Sequence, residues 1–205
     1  MFKKLFGAKK SAPAAPYKTD ELNTVHAMLF CDDPSQGGSP LFGDQPDVRV
    51  VQAIVQDANE ESRVRLLAAH WLRTNGHEVP AAELLGIVVE VPLEGSLDTL
   101  AAYADGRVRY INHTGRIAVY DGAPEDVAQQ AKLLVAAAIP AAAKATAQKR
   151  GGASTPGLVR FSFLSTEGLR VREGGFGDIA RDQLAAPVLE GAQKLLDLIV
   201  KQANE

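Results

Sequence analysis

The stretch from Leu97 to Tyr120, LDTLAAYADGRVRYINHTGRIAVY, decides the fold class. Strand-forming residues alternate on either side of Asp105-Gly106 and again around Thr114-Gly115, which predicts a three-stranded antiparallel meander. Asp-Gly suits the first turn because a two-residue hairpin loop needs positive φ at both central positions. A two-residue Asp105-Gly106 loop places Tyr103 opposite Val108, Ala101 opposite Tyr110, Leu100 opposite Ile111 and Asp98 opposite His113. Tyr103, Val108, Ala101 and Tyr110 then share an apolar face, and Arg107, Arg109 and His113 lie on the other. For the second turn, a two-residue Thr114-Gly115 loop is preferred because it keeps the apolar set together, with Ile117 and Val119 beside Tyr110 and Val108, whereas a three-residue loop shifts them by one.

A second hairpin is expected over Leu158 to Arg172. With Thr166-Glu167-Gly168 as a three-residue loop, Phe163 faces Val171 on the apolar side, and Ser162 faces Arg172 and Leu164 faces Arg170 on the other. Arg160 falls on that second side as well.

Outward from these hairpins the hydrophobic period changes. Leu84 to Val91 is a nearly continuous apolar run, as expected for a strand covered on both faces. Helical spacing marks Asp20 to Phe30, a helix capped by Asp47, and a third that Asn59 caps and Gly76 ends. Pro124 opens a further helix that ends or kinks near Pro140, and the final helix carries Val188, Ala192, Leu195, Leu196 and Ile199 on one stripe. Leu41 and Phe42 are expected to pin the intervening Gly/Pro/Asp loop to the body.

The fold class expected is therefore α+β: an antiparallel five- or six-stranded sheet with the helices at 124–140 and 187–203 packed on one face, preceded by an all-helical N-terminal region. The units are a disordered basic tail at 1–18, a helical region at 19–76 and an α+β sandwich domain at 82–205.

Composition restricts the function classes. The 205 residues are 46% hydrophobic and 23% charged, enough for a core without staples, and the single Cys31 excludes an internal disulfide framework. Residues 1–18 carry five lysines and no acid, residues 19–61 nine acids and one arginine, and the rest equal numbers of each sign. Without a basic excess in the sheet region, no nucleic-acid partner is expected. The chain has no secretory apolar segment, so the expected location is cytoplasmic.

No constellation assembles a catalytic, cofactor or metal site. His26 and Cys31 do not share a helical face and have no second ligand pair. Asp98 beside His113 imitates a dyad, but no serine or cysteine stands at a sharp strand-to-helix turn to serve it. The Glu173-Gly174-Gly175-Phe176-Gly177-Asp178 loop lacks the lysine and hydroxyl of a phosphate cradle and reads as a turn with Phe176 in the core.

What remains is a set of candidate partner contacts, Arg107, Arg109, Arg160, Arg170, Arg172 and His113, converging on the open sheet face. They suit an acidic protein partner, and self-association is compatible with the same face. The function expected is a non-catalytic cytoplasmic interaction or scaffold protein. The alternative is a small-ligand-binding or enzymatic domain with a pocket between sheet and helices, using His113, Asp98 and Gly174-Gly175. A third reading is a peripheral membrane adaptor held by Phe2, Leu5 and Phe6 beside Lys3 and Lys4.

Overall fold

The computed structural model describes residues 15–33, 42–43, 46–80, 82–93, 96–148, 155 and 157–203. The membrane reading of Phe2, Leu5 and Phe6 and the anchoring role of Leu41 lie outside them, whereas Phe42 packs against the helical hairpin described below.

A mostly apolar run of ten residues at Leu84–Leu93 makes the central strand β1, followed by the meander β2 (Ser96–Tyr103), β3 (Arg107–Ile111) and β4 (Ile117–Asp121). After helix α4 (Glu125–Lys144) come β5 (Thr146–Ala147), β6 (Leu158–Ser165) and β7 (Gly168–Gly175), then α5 (Phe176–Arg181) and α6 (Ala186–Gln202). Three helices precede the sheet: α1 (Asp20–Met28), α2 (Val48–Gln56) and α3 (Ser62–Thr74). All strands join one antiparallel sheet in the order β4-β3-β2-β1-β6-β7-β5. The sheet has seven strands rather than five or six, because residues just after α4 add the short β5 to β7. Pro140 does not end α4; the helix continues to Lys144 with Pro140 exposed.

The two sheet faces are both covered. Ile87, Val89, Leu100, Val108, Phe161 and Phe163 form one core with Val127, Leu134 and Val135 of α4 and Val188, Leu195 and Ile199 of α6. Leu85, Val88, Ala101, Tyr103, Ile111 and Leu164 form a second core with Tyr17, Leu29, Phe30, Cys31 and Leu66. Val51, Val55, Ala68, Ala69 and Leu72 zip α2 to α3. Tyr17, read from sequence as part of the tail, is thus a buried core residue.

All three hairpin registers differ by one residue from the sequence reading. Ala102 pairs with Val108 and Leu100 with Tyr110 around a three-residue Ala104-Asp105-Gly106 loop closed by the Gly106 N–H on the Tyr103 carbonyl. Gly106 takes φ +90, the conformation that loop demands. Ile111 pairs with Ile117, which turns Ala118 and Tyr120 toward α4 and leaves Ile117 and Val119 on the opposite side. The second hairpin has a two-residue Thr166-Glu167 loop, so Phe163 pairs with Arg170 and Phe161 with Arg172.

Asp47 caps α2 by accepting from the Arg49 N–H, as its position predicts. Helix α3 begins at Ser62 instead of after Asn59, because Asp105 of the β2–β3 turn supplies the cap. Its Oδ2 accepts from the Ser62 N–H at 2.8 Å, and Ser62 Oγ accepts from the Asp105 N–H at 3.1 Å. A carboxylate from another element thus satisfies the exposed end of the helix and complements its dipole.

Candidate functional site

The register shift divides the candidate arginines between the two faces, since cross-strand neighbours point the same way. Arg107, Arg109 and Arg160 lie on the side of α1 and α3. Arg170 and Arg172 pair with Phe163 and Phe161 and lie on the side of α4 and α6. The single converging arginine face therefore does not form.

Each of these arginines faces a carboxylate of the same chain. Arg107 donates to Glu61 at 2.8 Å and to Asp105 at 3.1 Å, and Arg109 donates to Asp121 at 2.6 Å and to the Tyr120 carbonyl at 3.0 Å. Arg160 pairs with Glu173 and Arg172 with Asp182, while Arg170 lies 3.7 Å from Glu167. Asp182 also accepts from the N–H groups of Ala185 and Leu184; those bonds, with Arg172 beside it, hold its carboxyl below the usual range.

Asp98 and His113 do meet, although the register aligns Asp98 with Asn112. The His113 backbone N–H donates to Asp98 Oδ1 at 2.6 Å, and its Nδ1 lies 3.4 Å from the same oxygen. Beyond this pair, Val89, Val91, Leu100, Leu189, Ala192 and Leu196 line a groove of about 190 Å³, with Asp98 and Tyr110 at its polar end. Phe176, expected in the core, forms a lip of this groove and is 50% exposed, because it opens α5 instead of closing a turn. Burial, and then the Asp98 carboxylate, push the Tyr110 hydroxyl up to about 12.

A buried polar cluster on the opposite face was missed by sequence reasoning. Glu90, fully buried on β1, shares a hydrogen bond of 3.0 Å with His26 Nε2 of α1 through Oε1, and its other oxygen lies 3.6 Å from Arg160 Nη1. Tyr17 and Phe30 meet the His26 ring edge-on, and the Tyr17 hydroxyl donates to Thr99 at 2.8 Å. The signal was present: Glu90 is the one charge in an otherwise apolar run, and a buried charge requires a partner.

Chemically, this cluster is a clasp between α1 and the sheet. No hydroxyl or thiol among the described residues hydrogen-bonds either His26 or His113. Cys31 is buried and turned toward the Met28 and Leu29 carbonyls, and burial raises its thiol pKa despite nearby Arg63. Among the described residues, no three His, Cys, Asp or Glu side chains are grouped to hold a metal ion, and no helix is long and apolar enough to cross a membrane.

A further accessible feature is the β4 edge. Ile117 and Val119 are 45% and 54% exposed on a strand that, among the described residues, is paired on one side alone. No protein-family model, characterised protein or solved structure matches the chain.

Proposed function

We propose that this protein is a non-catalytic interaction module that takes an extended protein segment along the free edge of β4. The observation that carries this reading is the exposure of Ile117 and Val119 on an edge strand. An edge offers unpaired N–H and C=O groups, and proteins normally blunt it with charges or bulges. Here two β-branched apolar residues stand at i and i+2 on one face, the spacing at which an added strand presents its own side chains. Asp121 and Arg109 flank them, so the rim is polar while the centre is apolar. The candidate arginines bear on this function only where they border β4.

Selection from a displayed random-peptide library on the immobilised full chain tests this reading. Wild type is expected to enrich peptides with alternating apolar residues, and an Ile117→Lys/Val119→Lys variant to enrich none. Equal enrichment by the two proteins would refute the reading.

A second reading is favoured by the groove beside Phe176, whose largely apolar lining suits a small apolar ligand with a polar group toward Asp98. Such a ligand would raise the melting temperature of wild type but not of Leu100→Trp, in which the groove is filled.

A further inference from the structure

Helix α4 carries an outward surface that neither sheet face nor α6 covers. From Leu133 to Ala143 its exposed residues on this surface are Leu133, Ala136, Ile139, Pro140 and Ala143, all apolar. Leu133 and Ile139 are 53% and 55% exposed. At about 100° per residue, these five and Glu125 fall within roughly 60° of the Ala136 direction, so they form one stripe along the helix. Lys132 shares the arc, but its chain turns toward the β2–β3 loop, where Cε would lie 3.1 Å from a methyl group placed on Gly106.

Apart from Lys132, the exposed charges along this stripe stand at its ends. Glu125 lies at its N-terminal end and Lys144 at its C-terminal end, both exposed and neither in an ion pair among the described residues. An apolar centre with an acid at one end and a base at the other is complementary to itself when two copies run antiparallel. Pairing about Ala136 sets Leu133 of one copy against Ile139 of the other, three residues either side of the axis. Lys144 then lies about 12 Å from the axis and the opposing Glu125 about 16 Å, a difference two flexible side chains span. The small Ala136 at the crossing allows the axes to approach to about 8 Å. Parallel pairing would instead place like charges together at both ends.

We propose that a second copy of this chain covers α4, giving a twofold dimer in which the two α4 helices cross antiparallel at Ala136. Its contact surface is identical on both copies, as a twofold interface requires. It is separate from the β4 edge, so either proposal can fail alone.

Sedimentation equilibrium of the full chain between 1 and 100 µM tests the association. A particle of twice the 21.8 kDa chain mass is expected, and Leu133→Lys/Ile139→Lys is expected to be monomeric with unchanged circular dichroism, since both side chains face solvent. Ala136→Cys is expected to form an intermolecular disulfide at least tenfold faster than Val50→Cys, an exposed position on α2. Glu125→Lys should weaken the dimer several-fold and Glu125→Lys/Lys144→Glu restore it. A wild-type monomer at 100 µM overturns the proposal. So does a dimer that survives Leu133→Lys/Ile139→Lys, or one that cross-links no faster at position 136 than at position 50.

Discussion

His26 Nε2 lies 3.0 Å from Oε1 of Glu90, joining the last turn of α1 to the centre of the sheet through a carboxylate with no solvent exposure. Burying that charge is costly, and His26 with Arg160 on the neighbouring strand offsets the cost. Removing His26 leaves the carboxylate with one distant partner. His26→Ala should therefore destabilise the protein by about 3 kcal/mol in urea unfolding. A double-mutant cycle with Glu90→Gln should show coupling of about 1 kcal/mol or more. Additive effects would mean that the pair contributes nothing specific.

Gly86 on β1 sits under the ring of Tyr103, and a methyl group added there would meet Cδ1 at 2.9 Å. Tyr103 is fully buried and tied to the Leu29 carbonyl, so it has little room to yield. Gly86→Ala should cost about 1–3 kcal/mol, and less in a Tyr103→Leu background. Equal costs in the two backgrounds would place the strain elsewhere.

The tyrosines predict alkaline instability. Burial holds the Tyr17 and Tyr103 hydroxyls above their ordinary pKa of 10.0, and Tyr110 is pushed up to about 12. In the unfolded chain these groups lose their protons first. Their contribution is fully present below pH 10.0 and is lost as pH rises through the folded values. Tyr110→Phe should flatten the fall in stability between pH 10.0 and about 12, followed by denaturant midpoints. Asp98→Asn should bring the Tyr110 titration down but leave it above 10.0, because burial is the larger cause.

The residues that reveal the element types did not fix the strand registers. Asp47 and Gly76 mark helix ends that the structure retains: Gly76 has φ +73, and the His77 N–H closes on the Leu72 carbonyl. The hairpins failed for a common reason. Both sheet faces are covered, so Ala101 and Ala102, or Tyr103 and Leu100, are apolar on opposite sides, and alternation no longer penalises a one-residue slip. Asp105 misled further, because its carboxylate caps α3 over a sequence separation of 43 residues that no local turn rule includes. The arginine grouping inherited those register errors. Glu90, by contrast, was readable: a lone carboxylate in a strand covered on both faces announces buried partners.

The claim that β4 is the binding edge is tested most directly by titrating the isotopically labelled full chain with a library-selected peptide and following its amide NMR signals. Shifts are expected at Ile117 to Asp121 and their β3 partners, with slowed hydrogen exchange on the outward β4 amides. Shifts confined to the groove lined by Phe176 and Tyr110, or to the Trp71 side of the helical hairpin, with β4 unmoved, would contradict it.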